Sequence, residues 1–287
     1  MRKWWLVPIV LLLALGSIYW FIPSQLKIVQ ITPVHSPSPA VYRALAGRDS
    51  LAQHVRIVKK LLNSFEVQMG HIPGAITVLP LANDSCALQW TCQINAGSSP
   101  ITRIKRYNQA VATKNNMAAI LAHFKTWAEQ INNLYGITLS ERTFGDTTLI
   151  ATKTNLPQFP GVKDIYSLLH DLKQYSAGFQ AQATGFPLMN VTAQADGGYQ
   201  LMTALPVDKP LPEKGIFFRR KIPLNKFLFV EVQGGDSSVQ RSLRQLQLYI
   251  TDHRKTVMAL PFQVLVTDRS QVTDTSQWIT HLYVPVF

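Results

Sequence analysis

The chain has 287 residues, of which 47% are hydrophobic, with a formal net charge of +12. That length and apolar content exclude a disordered or low-complexity protein and allow two ordinary domains. The charge raises nucleic acid or an anionic membrane surface as partners. Lys and Arg are scattered, however, with the densest cluster only Arg219-Arg220-Lys221, so no nucleic-acid partner is expected.

The first predicted element is a transmembrane helix. After Met1-Arg2-Lys3 comes WWLVPIVLLLALGSIYWFI, Trp4 to Ile22, without a charge. At helical rise this run reaches about 28 Å, close to the thickness of a bilayer core. Trp4 and Trp5 at one end, and Tyr19, Trp20 and Phe21 at the other, suit the two interfaces. The basic start places residues 1–23 as a single-pass anchor in the inner (cytoplasmic) membrane, with the C-terminal domains extracytoplasmic. A signal peptide cleaved near Ala14-Leu15-Gly16 is the alternative. The continuation of the apolar run through Phe21 and Ile22 favours the uncleaved anchor.

Residues 23–40 read as a strand ending in a Pro/Ser turn. Ser38 and Pro39 then form a helix start for AVYRALA, a cap followed by proline. The runs SFEVQMG, AITVLPL and ALQWTCQINAG read as strands. Cys92 lies in the last of these and Cys86 just before it, about 20 Å apart if the strand is straight, so a disulfide would need a turn between them and free, partly buried thiols are expected. A long helix follows over residues 104–134. Its apolar positions, among them Val111, Met117, Leu121, Phe124 and Trp127, recur at steps of three and four, a core stripe rather than a cofactor site.

The stretch IPSQLKIVQITPVHSPSPAVYRAL resembles the start of START-like (SRPBCC) helix-grip domains. The resemblance covers residues 24–136 and implies a curved sheet gripping the long helix, in a degenerate domain whose cavity is reduced or lost. ITLSERTFGD, with no sustained period, marks the boundary to a second domain, residues 137–287.

That second domain reads as one module written twice. YQLMTALPV (199–207) and WITHLYVPV (278–286) both close on Pro-Val at an offset of 79, and TTLIATKTN (147–155) stands opposite KFLFVEVQG (226–234) at the same offset. Helical patterns follow both, VKDIYSLLHDLKQY and VQRSLRQLQLYITDH, then the proline-led strands PLMNVT and PFQVLVT. Each copy is strand–helix–strand–strand, over about 146–207 and 226–287, which predicts an antiparallel sheet with a pseudo-twofold axis and a groove between the halves. The fold class expected for the whole chain is α+β.

The Pro-Val strand ends, the ending LYVPV, the Gly-Gly after FVEVQ and FQVLVTDR together resemble the gyrase-inhibitor-like family, also found as the effector-binding domain of AraC-type regulators. The resemblance implies a groove for lipophilic, often cationic, small molecules; a few members hydrolyse reactive compounds there. Members usually carry a glutamate in the strand where this chain has Gln263. Alternation sets Phe262, Val264 and Val266 toward the helices with Gln263 opposite, and Leu228, Val230 and Val232 toward the helices with Phe227, Phe229 and Glu231 opposite. In the last strand alternation leaves both faces open, and the resemblance favours Tyr283. The expected ligand-binding residues are therefore Phe229, Glu231, Gln263 and Tyr283, with Glu231 either a pocket acid or a solvated strand residue.

No nucleophile elbow, zinc-binding HExxH, Walker loop or dinucleotide fingerprint occurs. His170-Asp171 and Asp252-His253 are adjacent on helices and do not face each other. No cofactor and no metal are expected. The function expected is a membrane-anchored protein binding a lipophilic small molecule. The alternatives are a hydrolase of reactive lipophilic compounds in the same groove, or an interaction protein that binds no ligand.

Overall fold

Two antiparallel sheets organise the chain, one of six strands and one of eight among the described residues. The computed structural model describes Leu13, Gly16, Ser17 and residues 20–143, 147–222 and 226–286. It divides into two units, Met1–Leu134 and Tyr135–Phe287. Among the described residues no helix is long and apolar enough to cross a membrane. Most of the expected span, Trp4 to Ile22, lies outside the described residues.

In the first unit, β1 (Gln25–Val34) leads into α1 (Ser38–Ala46). Pro37 holds the cap position and Pro39 the first turn, so Ser38 opens the helix rather than capping it. Then come β2 (Ser50–Ala52), β3 (Val55–Lys60), β4 (Ser64–Met69), β5 (Ile72–Ala82), β6 (Ser85–Asn95) and the long helix α2 (Pro100–Ala128). The sheet order is β1-β6-β5-β4-β3-β2. Alternate residues of β6, including Leu88, Trp90 and Cys92, are buried on one side. They share a core with Met117, Leu121 and Phe124 of α2. Trp90, Phe65, Phe124, Met117 and Leu121 are fully buried side chains of this core. Gly74 permits the close pairing of β5 on β6, because a Cβ there would stand 2.7 Å from the Thr91 carbonyl and 3.0 Å from the Trp90 ring nitrogen.

Helix α2 starts four residues earlier and stops six residues sooner than its apolar period implies. It breaks at Glu129 before a separate turn, Ile131–Tyr135. Val111, expected on the core stripe, is exposed, as are Ile101, Ile104 and Tyr107.

In the second unit the elements are β7 (Leu139–Thr143), β8 (Thr147–Leu156), α3 (Val162–Gly178), β9 (Leu188–Ala193), β10 (Tyr199–Pro206), β11 (Phe218–Ile222), β12 (Lys226–Gln233), α4 (Asp236–Asp252), β13 (Phe262–Leu265) and β14 (Ile279–Pro285). The two strand–helix–strand–strand copies are β8-α3-β9-β10 and β12-α4-β13-β14, with helices of 17 residues each. The sheet order is β11-β8-β10-β9-β13-β14-β12-β7. Read from its two ends, this order relates β8 to β12, β10 to β14 and β9 to β13 by a pseudo-twofold at the centre. The outer strands are exchanged: β7, which precedes the first copy, pairs with β12 of the second, and β11 pairs with β8 of the first. Between β12 and α4, Gly234 takes φ +122°, and a Cβ there would meet the Ser238 hydroxyl at 2.5 Å, so only glycine makes this turn.

Both helices cover one face of the sheet. Ile150, Leu201 and Leu205 pack with Ile165, Leu169 and Leu172 of α3. The loop into β14 is held by Arg269, whose guanidinium donates to Asp236 at 3.0 Å and to Thr280 Oγ1 at 2.8 Å while lying over the Trp278 ring.

Cys86 and Cys92 are free and buried. Burial pushes the Cys86 thiol from its ordinary 9.0 up to about 11 and raises that of Cys92. A thiol whose pKa is raised by folding stabilises the native state below the unfolded pKa, and that contribution is lost as pH climbs toward the folded value. Folding stability of the first unit should therefore fall by about 1.4 kcal/mol per pH unit between pH 9 and 11 on account of Cys86. In the double variant Cys86→Ala, Cys92→Ala this slope should disappear in chemical unfolding measured across that range. An unchanged slope would mean that the thiols are not responsible.

Candidate ligand-binding cleft

In an antiparallel ladder, directly opposed residues share a face and successive residues alternate between faces. That rule sorts the second unit. Phe229 opposes Tyr283 and Tyr283 opposes Phe262, so the three share the face away from the helices. Leu149, Ala151, Leu188, Ala204, Phe227 and Val264 join them in one apolar cluster.

Row by row, the halves correspond. Pro206 at the end of β10 opposes Leu149, which opposes Arg220 on the edge strand. Pro285 at the end of β14 opposes Phe227, which opposes Arg142. Each half thus writes arginine, bulky apolar residue, proline. The next row differs. The second half fills its centre with Phe229 and Tyr283, where the first half has Ala151 and Ala204. Arg142 lies 3.6 Å over the Phe229 ring. Burial raises the Tyr283 hydroxyl's pKa, and Arg142 opposes that rise. In the first half Arg220 lies against Phe218, with its guanidinium 5.2 Å from that ring.

Space opens where the first half is small. A cavity of about 360 Å³ lies against Leu149, Leu188, Met202 and Ala204, and is closed from the second half by Phe227, Phe262 and Pro285. Its lip is the segment Met258 to Pro261, in which Met258 and Leu260 are 56% and 61% exposed. Asn190 ties the lip down by donating its side-chain amide to the Pro261 carbonyl at 2.6 Å. Arg220 and Lys221 stand at the cavity, and no carboxylate lies among its lining residues.

The four residues expected to line a groove are dispersed relative to this cavity. Phe229 and Tyr283 lie on the right face but are buried at 4% and 8%, packed into the filled half, with Tyr283 stacked on Phe262 at 5.2 Å. Glu231 shares their face, yet its side chain is 63% exposed and pairs with His281 at 3.1 Å. Gln263 is on the opposite, helix-covered side: it opposes Leu282, next to which Val264 opposes His281. It is buried, with its Oε1 lacking a hydrogen-bond partner. The expected orientation of PFQVLVT is therefore inverted, and Phe262, assigned to the helices, forms a cavity wall. The residues missed, Leu149, Leu188, Met202, Ala204 and Arg220, come largely from the first copy, where no resemblance pointed. The differing rows become visible only once register is known.

No protein-family model matches the chain, and no curated protein matches it. Among solved structures, the C-terminal domain of EcmrR is similar at 14% identity, covering 53% of this chain and 98% of that one, with a TM-score of 0.44. SAV2435 bound to tetraphenylphosphonium is similar at 17% identity over 53% and 94%, with a TM-score of 0.35. A hydrolase from Listeria innocua is similar at 6% identity over 52% and 92%, with a TM-score of 0.40. With TM-scores this low, the function rests on the chain's own cleft.

The filled half makes a direct test of this geometry. Phe229→Ala removes a buried ring and the surface on which Arg142 lies, and should destabilise the second unit by about 3–5 kcal/mol in denaturant unfolding. A loss below about 1 kcal/mol would mean that Phe229 does not pack as described.

Proposed function

We propose that the second unit binds a small, largely apolar molecule in the cavity between its two halves. The observation that carries this reading is the unequal row, in which two alanines replace the aromatic pair that closes the other half. The cavity volume is at the small end of ligand pockets, and its walls are hydrophobic with a few polar groups at the mouth, the composition such pockets use. In the gyrase-inhibitor-like reading of this unit, binding rather than catalysis is the activity, and Glu231 takes no part in it.

The first unit, in this reading, is a helix-grip domain that has given up its ligand. A strand, a short helix, five strands and a long helix follow one another, and bulky side chains occupy the space between sheet and α2. Its role is to carry the binding unit. We further propose that Trp4 to Ile22 anchors the chain in the inner membrane with the rest outside the cytoplasm. Arg2 and Lys3 support that orientation. Arg103 on α2 donates to the Ile22 carbonyl at 2.8 Å, beside the exposed Ile101, Ile104 and Tyr107, an apolar surface suited to lying at a bilayer.

Two measurements test these statements. The neutral fluorophore N-phenyl-1-naphthylamine should bind the full-length chain. Ala204→Phe, which supplies to the first half a ring like that of Tyr283, should weaken binding by about tenfold or more while unfolding stays cooperative. Undiminished binding would place the fluorophore elsewhere. For the anchor, alkaline phosphatase fused after Phe287 should be active and β-galactosidase fused there inactive; the reverse pattern would reject the orientation.

A further inference from the structure

We infer that the molecule taken up by this cavity is a single-chain amphiphile with an anionic head, its head on Arg220 and its chain between Ala204 and Phe262. The inference rests on the cavity-binding reading above and adds the sign of the ligand's charge. It is opposite to what the sequence resemblance implies for cationic ligands.

The pseudo-twofold supplies the argument. Arg142 and Arg220 occupy equivalent positions, each directly opposed to the bulky residue that starts its row. Arg142 is engaged, stacked on the Phe229 ring at 3.6 Å. Arg220 lines the cavity beside Ala204, the position where the other half has the Tyr283 ring. Among the described residues no carboxylate pairs with it, whereas its neighbour Arg219, on the other face of the strand, pairs with Glu213. The guanidinium of Arg220, solvent-exposed beside an apolar cavity, presents a fork of donors that a carboxylate or phosphate can engage.

The rest of the face agrees in sign. By register, Arg142, Lys153 and Arg220 lie on the cavity side, Lys153 opposing the lining residue Met202. The one carboxylate found there by the same rule, Glu231, is matched by His281. A cationic head at the cavity would meet Arg220 and Lys221, with no carboxylate among the described lining residues. Apolar walls and an exposed apolar lip take the chain, and the size of the cavity suits one short chain rather than two.

Calorimetric titration of the full-length chain with decanoate, decan-1-ol and decyltrimethylammonium tests this, because the three share a chain and differ in charge. Decanoate should bind about fivefold more tightly than decanol, and decyltrimethylammonium more weakly than either. Arg220→Gln should abolish the preference for decanoate over decanol, and Arg220→Lys should keep most of it. Arg219→Gln removes an equal charge from the opposite face and should leave the preference intact, which separates Arg220 from the general positive charge of the protein. If decanol binds but decanoate gains nothing, or if the gain survives Arg220→Gln in a protein that still unfolds cooperatively, the charge assignment is overturned and the apolar cavity stands. If none of the three binds, the cavity reading itself fails.

Discussion

The seam between β9 and β13 governs the second unit. The two halves meet there at only two paired positions, Met189 with Gln263 and Leu188 with Val264. So short a ladder would hold two independent halves weakly. The exchange of edge strands compensates: β7 is covered by pairing with the second copy, and β11 with the first. Neither copy owns a complete sheet, and pulling the halves apart would strip pairing from both outer edges as well as from the seam. The same exchange protects the long strands β8 and β12, which would otherwise be bare edges.

Because the halves are locked in this way, a difference between equivalent rows cannot be relaxed by sliding one half on the other. Ala204 leaves space where Tyr283 leaves none, and that space is bounded by the partner half's Phe227 and Phe262, while Ala151 is covered in its row by Phe218 of β11. Duplication thus has two outcomes in one sheet: a row that stabilises by aromatic packing under Arg142, and a row left open under Arg220. Cavity and cation meet at Ala204, since Arg220 lines the same space.

Much of this organisation was legible in the sequence. The Pro-Val endings mark the true equivalence of Pro206 and Pro285, and the two helices and their proline-led strands stand where the period places them. What differed were the face of β13 and the register of β8 against β12 in the repeat. The structural partner of Phe227 is Leu149, an offset of 78, whereas setting TTLIATKTN against KFLFVEVQG at 79 puts Leu149 with Leu228. A slip of one residue exchanges the two sides of a strand. In β13 no residue is exposed, Gln263 included, so alternation of polarity could not tell one face from the other. The edge strands LSERT and FRRKI carry charges that suit an edge and conceal a strand, which is why β7 was read as a boundary and β11 as a basic cluster. In α2 the Ser99-Pro100 start was overlooked in favour of an apolar stripe that partly faces outward.

The central claim is that the unequal rows create a place for a ligand. A crystal structure of residues 24–287 grown with an electron-dense neutral probe such as 1-iododecane would test it most directly. The account predicts iodine and chain density between Ala204, Met202 and Phe262, with Phe229 and Tyr283 unmoved. Density confined to other surfaces, with Met202 or Leu260 folded into the space beside Ala204, would contradict it.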